Sequence, residues 1–222
     1  MATACTGRVG SIITRVLYLF NDEDQRFLND TLLVAWCNEC QRQIAIRGFF
    51  EKDTNISIVG GQESYDLASL VADLEDVIAV IYNGSDASSK GDDELLTPIT
   101  SWQAYRNILA ASSTQTRPYG YYLQGATMYL APVPTQSLSN GITIHHSYIP
   151  SDLGCTSNTT PATPSAHDIV YVYFCLMNAY ARDRHSPLAQ QQVAYYQQMF
   201  QRELAVLLAT RYQPGDRLRS NR

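Results

Sequence analysis

Few side chains in this sequence stand at spacings that could do chemistry, and each set fails on a different requirement. Cys37-Asn38-Glu39-Cys40 has the two-residue gap of zinc and dithiol sites. Zinc needs two further ligands, yet no second Cys or His pair at ligand spacing follows. His145 and His146, the nearest candidates, would point to opposite faces of a strand. The pair therefore reads as core packing, the default for buried thiols. His145, His146, Ser147 and Asp152 supply the residue types of a hydrolytic triad. A nucleophile must be held on a sharp turn beside its base, and no G-x-S-x-G elbow is present.

Three other patterns have simpler explanations. Asp22, Glu23 and Asp24 read as a solvated loop, because the glycine and later ligands of a calcium loop are missing. Gly60-Gly61 is followed by no Lys-Ser or Lys-Thr and by no helix start, so it reads as a hairpin turn rather than a phosphate loop. Asn158-Thr159-Thr160 matches a glycosylation acceptor, which is without meaning unless the chain is exported. These readings give no catalytic residue, no cofactor and no metal, and they point away from an enzyme.

One segment favours a functional reading. The end of the chain, RYQPGDRLRSNR, mixes Arg211, Arg217, Arg219 and Arg222 with the apolar anchors Tyr212 and Leu218. Pro214-Gly215 stops the preceding helix so that the end can extend. Such a segment can order on an acidic partner, where guanidinium groups pair with carboxylates through two parallel bonds.

Composition limits the partners further. The last twelve residues carry four arginines against one aspartate, so residues 1–210 hold −8 of a chain whose net charge is −5. A body this acidic argues against general nucleic-acid binding, which gains affinity by neutralising phosphates. Only 17% of residues are charged, whereas tyrosine occurs 15 times, so much of the surface is neutral and polar, as protein interfaces prefer. The N-terminus lacks a signal-peptide pattern and no stretch approaches the roughly 20 apolar residues of a membrane span. No membrane association is expected, and the protein is expected to be made in a cytosol-like compartment. The five cysteines, odd in number and irregularly spaced, read as reduced thiols.

The elements that would position these residues follow from periodicity. Ile12, Ile13, Val16, Leu17 and Phe20 predict a helix over 11–20, and Asn29 or Asp30 caps a second helix with the stripe Leu33, Trp36, Cys37, Cys40 and Ile44. Ile56 and Ile58 alternate with polar neighbours and, with Tyr65 and Leu67 beyond Gly60-Gly61, predict a hairpin. Further strands are predicted over 77–82, ending at Asn83-Gly84, over 121–131 with a turn at Gln124-Gly125, and over 142–149. A short helix is predicted over 101–109, and residues 150–164 read as a linker. Ser165 and Asp168 form a capping box for a helix whose apolar face is Ile169, Tyr173, Leu176 and Tyr180. Ser186-Pro187 opens the last helix, with the stripe Val193, Tyr196, Phe200, Leu204 and Leu207.

The fold expected is α+β: a four-helix-bundle-like α-helical domain, built from two N-terminal and two C-terminal helices, with an inserted antiparallel β region. The expected divisions are 1–52 (N-terminal helical part), 53–150 (inserted β-rich region), 151–210 (C-terminal helical part packing on the N-terminal helices) and 211–222 (extended basic tail).

Several stretches in this order resemble a known family. SIITRVLYLFNDEDQRFLNDTLLVAWCNECQRQIA, ISIVGGQESYDL, the YNG turn, RPYGYYLQGATMYLAPVP, ITIHHSYIP and AHDIVYVYFCLMNAYARDRHSPLAQQQVAYYQQMFQREL together resemble the adaptor, or head-to-tail connector, proteins of tailed bacteriophages. The resemblance implies a structural virion protein of the neck, made in the host cytoplasm. It would form a dodecameric ring that binds the portal protein, meets a tail or nozzle protein, and extends the channel through which DNA passes as cargo. It also implies that Arg211, Tyr212, Arg217, Leu218, Arg219 and Arg222 form the portal-binding tail. Neutral polar surfaces suit the heterologous contacts that close a ring, and an acidic body avoids gripping phosphates in the channel. The alternatives are another neck or tail protein, such as a stopper or terminator, and a small cytosolic enzyme or binding protein.

Overall fold

The computed structural model describes residues 5–84, 94–112, 117–156, 158–182 and 187–210. The chain divides into two compact units: Phe50–Ile149, and the segments that precede and follow it.

In the helical unit, α1 (Gly7–Phe20) buries Ile12, Ile13, Val16 and Leu17 of the expected stripe, while its last member, Phe20, is half-buried. It stops at Asn21, whose left-handed backbone (φ 59°) turns its N–H back onto the Leu17 and Tyr18 carbonyls. α2 (Asp30–Ile46) starts as expected at Asn29, whose side chain accepts from the Leu32 N–H. Leu33, Cys37, Cys40 and Ile44 are fully buried, while Trp36 is only half-buried.

α5 (Asp168–Arg182) is the centre of this unit, because α1, α2 and α6 (Pro187–Ala209) each pack against it. A helix surrounded in this way must be apolar on most sides. Val170, Tyr171, Val172, Phe174, Cys175, Leu176 and Ala179 are accordingly buried, and the narrower face expected through Ile169, Tyr173 and Tyr180 is only half-buried. The expected capping box is also replaced. Ser165–His167 forms a 3-10 turn without a side-chain cap, and Asp168 is held by Arg8 instead. α6 follows its expected stripe, with Phe200, Leu204 and Leu207 buried and Val193 and Tyr196 half-buried.

The stretch expected as a linker is fastened to α2. Asn38 donates to the Leu153 carbonyl and accepts from its N–H, Gln41 donates to Ser151 O and accepts from the Ala162 N–H, and Arg42 pairs with Asp152 at 2.9 Å. Cys155 is joined to Cys5 by a disulfide, which corrects the expectation that all five cysteines are reduced. Cys37, Cys40 and Cys175 remain free and buried.

The second unit contains two four-stranded sheets. One has the order β1-β8-β3-β4, from β1 (Glu51–Ile58), β3 (Leu74–Tyr82), β4 (Glu94–Leu95) and β8 (Leu138–Tyr148). The other has the order β2-β7-β6-β5, from β2 (Ser64–Asp66), β5 (Thr97–Pro98), β6 (Gly120–Gln124) and β7 (Thr127–Ala131). Two helices, α3 (Leu67–Leu70) and α4 (Trp102–Ala111), belong to this unit. Ile56, Val80, Ile142 and Ile144 of the first sheet share one core with Tyr65, Tyr121, Met128 and Leu130 of the second.

This architecture corrects the expected four-helix-bundle-like domain with an inserted β region. The chain is α+β, but among the described residues it has six α-helices and two four-stranded sheets, and the sheets enclose a core of their own. The sheets are not purely antiparallel either, because β5 pairs parallel with β6. The difference arises from strand pairing. Gly60-Gly61 reads locally as a hairpin turn, yet β1 pairs with β8 (Ile56↔Ile142) and β2 with β7 (Tyr65↔Met128), so the turn joins two sheets. Gly60 suits that crossing because a Cβ there would stand 2.5 Å from the Thr135 carbonyl oxygen. Between β6 and β7 the local signal and the structure agree, with Gln124↔Thr127 closing the turn.

Candidate functional site

The residues expected to grip a partner, Arg211, Tyr212, Arg217, Leu218, Arg219 and Arg222, lie outside the described residues. The described chain leads to them through α6, whose last turn is closed by Thr210: its hydroxyl donates to Leu207 O and its N–H to Val206 O.

Beside α6 runs a chain of aromatic rings. Tyr195 meets Tyr196 at 5.1 Å between centroids, Tyr196 stacks on Tyr180 at 5.6 Å, Tyr180 meets Phe20 at 4.9 Å, and Phe20 stacks on Phe27 at 5.7 Å. Arg182 lies over the Phe27 ring at 5.3 Å. Tyr195 is 52% exposed and Phe27 45%, so the chain of rings opens to solvent at both ends. Burial, followed by the neighbouring phenols Tyr180, Tyr195 and Tyr173, raises the pKa of the Tyr196 hydroxyl. It stays a neutral donor and acceptor, as an interface side chain should.

The β unit carries a second aromatic group. Trp102, 42% exposed, packs on Tyr105, Tyr122 and Tyr129 at 5.1, 5.7 and 5.4 Å, and Arg106 stands 6.0 Å from its ring. Ser101 sets this arrangement by capping α4, accepting from the Ala104 N–H. The buried Tyr105 hydroxyl donates to Glu63 Oε1 at 2.7 Å, and burial together with that bond pushes its pKa well up. The sequence carries no local sign of either aromatic group. Tyrosine abundance was the available signal, but which rings converge depends on helix and strand packing.

The residue sets with chemical potential are dispersed by the fold. Cys37 and Cys40 lie in the core of the helical unit, with Cys37 Sγ 3.8 Å from Cys175 Sγ. Burial raises the Cys40 thiol well above its ordinary range, and the contact with Cys37 followed by burial does the same to Cys175. Such thiols are poor nucleophiles. His145 and His146 do take opposite faces of β8. His145 bridges Asp53 (2.7 Å) and Glu51 (3.3 Å), whereas buried His146 pairs with Thr54 Oγ1 at 3.0 Å and Ser147 O. The Ser147 hydroxyl points to Asp76 O, so no described base activates it. Asp22, read as a solvated loop residue, is instead buried and accepts from the N–H groups of Arg26, Phe27 and Leu28.

Exposed aromatic rings at Tyr195, Phe27 and Trp102, with arginine beside the last two, are surface of the composition that protein interfaces favour. The family model for the SU10 adaptor protein matches residues 8–221, and the chain belongs to this family of tailed-phage adaptor proteins. It is a structural protein of the phage particle. No curated protein matches the chain. Among the described residues no helix is long and apolar enough to cross a membrane.

Proposed function

We propose that the chain assembles as a ring that binds the portal and connects the phage head to its tail, extending the channel for DNA. The family match over residues 8–221 carries this reading. In it the chain is not an enzyme, the ring is dodecameric, and its partners are the portal, a tail or nozzle protein and other copies of itself. The exposed aromatic groups at Tyr195 and Trp102 suit the heterologous contacts of a closed ring, where two different faces of each copy must be complementary. The basic end, with Arg211, Arg217, Arg219 and Arg222 around Tyr212 and Leu218, would meet an acidic portal surface. Some of the acidic residues of the body would face the channel, where repulsion from phosphate keeps DNA free to slide.

The test is to mix the purified chain with its portal and determine the mass and symmetry of the product by native mass spectrometry or particle imaging, with the chain alone as control. A closed ring on the portal is expected. A chain that binds tail components but not portal would overturn the proposal.

A further inference from the structure

We propose that Cys5, Cys155 and Asp30 form a zinc site, which replaces the Cys5–Cys155 disulfide when the two cysteines are reduced. The sulfurs and one Asp30 carboxylate oxygen all lie within 4.8 Å of one another. Two thiolates and a carboxylate are a ligand set for zinc, which in open sites takes three protein ligands and a water. Calcium and magnesium would need oxygen ligands in greater number.

The surroundings hold these groups in place independently of the sulfur–sulfur bond. Thr6 N–H donates to the Cys155 carbonyl at 3.2 Å, fixing the two backbone segments side by side. The Cys5 carbonyl lies against α1 at Gly10, where a Cβ would clash at 2.2 Å. Asp30 is buried, and both of its oxygens are oriented: Oδ2 accepts from the Cys5 N–H at 3.0 Å and Oδ1 from Gln25 Nε2 at 2.8 Å. Each oxygen keeps a further lone pair for a metal, and such supporting hydrogen bonds are what orient ligating carboxylates. An open cleft lined by Cys5, Gly10, Thr14, Arg15, Glu23 and Gln25 provides a way in from solvent. Zinc takes up the two cysteines as thiolates, and its double positive charge offsets the negative charge that these and Asp30 then bring together.

The exchange balances. Two thiols of the glutathione class deliver two electrons and two protons to the Cys5–Cys155 bond and leave as their own disulfide. Zinc then binds both sulfurs and releases the two thiol protons to water. Oxidation by a low-molecular-weight disulfide runs the exchange backwards and expels the metal. The same three residues would thus hold zinc in a reducing cell and a covalent bond outside it.

The full chain, reduced with a phosphine and freed of metal, is titrated with zinc against a chromophoric chelator, alongside the oxidised chain and the variants Cys155→Ser, Cys5→Ser and Asp30→Asn. About one zinc per reduced chain is expected, with none on the oxidised chain or on either serine variant. Gln25→Ala, which leaves all three ligands in place, should weaken binding by about 10–100-fold. Cobalt in place of zinc should give the sulfur-to-metal absorption band in the reduced wild type and in neither serine variant, while Asp30→Asn and Gln25→Ala should need more cobalt to reach it. Equal zinc uptake by the reduced wild type and Cys5→Ser, or no uptake by a reduced chain of native circular dichroism, overturns the site. Neither result touches the proposal about the portal, which rests on the family match and is tested by complex formation.

Discussion

Arg8 and Asp168 join the first turn of α1 to the first residue of α5 across 160 positions of sequence, with both guanidinium edges engaged. Arg8 Nε donates to both carboxylate oxygens, at 2.8 and 3.1 Å, a terminal nitrogen also donates to Oδ1, and Nη1 reaches the Pro161 carbonyl at 3.0 Å. The negative charge sits at the N-terminus of α5, where the helix dipole favours it. About a fifth of each side chain is exposed, so solvent screens the pair less than an ordinary surface ion pair.

Breaking that pair should cost more than a surface contact. Asp168→Ala is expected to lower stability by about 1.5–3 kcal/mol, the range for hydrogen bonds to charged groups. Urea denaturation of Arg8→Ala, Asp168→Ala and the double variant checks this. The double variant should lose much less than the sum, and simple additivity would show that the two groups do not interact.

Asp22 should make stability depend on pH below neutrality. Burial alone would raise its pKa, but the N–H donors of Leu28, Phe27 and Arg26 outweigh it and hold the pKa below the ordinary 3.8. Because the folded pKa is the lower one, the contribution is complete above the ordinary value and is lost as pH falls through the folded value. Asp22→Ala should cost about 1–3 kcal/mol at neutral pH. Denaturation profiles of wild type and variant are expected to converge as the pH drops below about 4. A constant difference at all pH values would count against the ionised cap.

The disulfide between Cys5 and Cys155 spans 150 residues and so constrains a large loop of the unfolded chain. Its loss in metal-free Cys155→Ser should lower stability by about 2–5 kcal/mol relative to the oxidised wild type. Thermal unfolding with and without a phosphine reductant measures it, and reduction should leave the variant unchanged.

Trp36 is half-buried, lining a groove with Leu32, Asn178, Ala181 and Arg182. Trp36→Ala is therefore expected to cost about 1–2 kcal/mol, less than truncation of a fully buried side chain. A loss above about 4 kcal/mol in chemical denaturation would place it in the core after all.

Deleting residues 211–222 should leave the circular dichroism and melting of the chain unchanged while weakening its binding to portal. Sedimentation of chain and portal mixtures tests this. Undiminished binding would remove the case for Arg211, Tyr212, Arg217, Leu218, Arg219 and Arg222 as the gripping residues.

Local chemistry was legible in the sequence by itself. The α1 stripe, the Asn29 and Ser101 helix starts, the Pro187 start of α6 and the turn between β6 and β7 all depend on residues within a few positions of one another. Tertiary structure alone decided what depends on residues far apart. Whether Ile56 pairs across Gly60-Gly61 or with Ile142 is a choice among strand partners of similar local fitness, settled by the shared core of both sheets. Asp168 looks like a capping residue until Arg8 arrives from 160 positions away. Cys5 and Cys155 look like unrelated thiols until the segment after β8 folds back along α2. Sequence spacing encodes helix faces and turns because their geometry repeats over a few residues, whereas long-range partners are selected only by the total burial and hydrogen bonding of the completed fold.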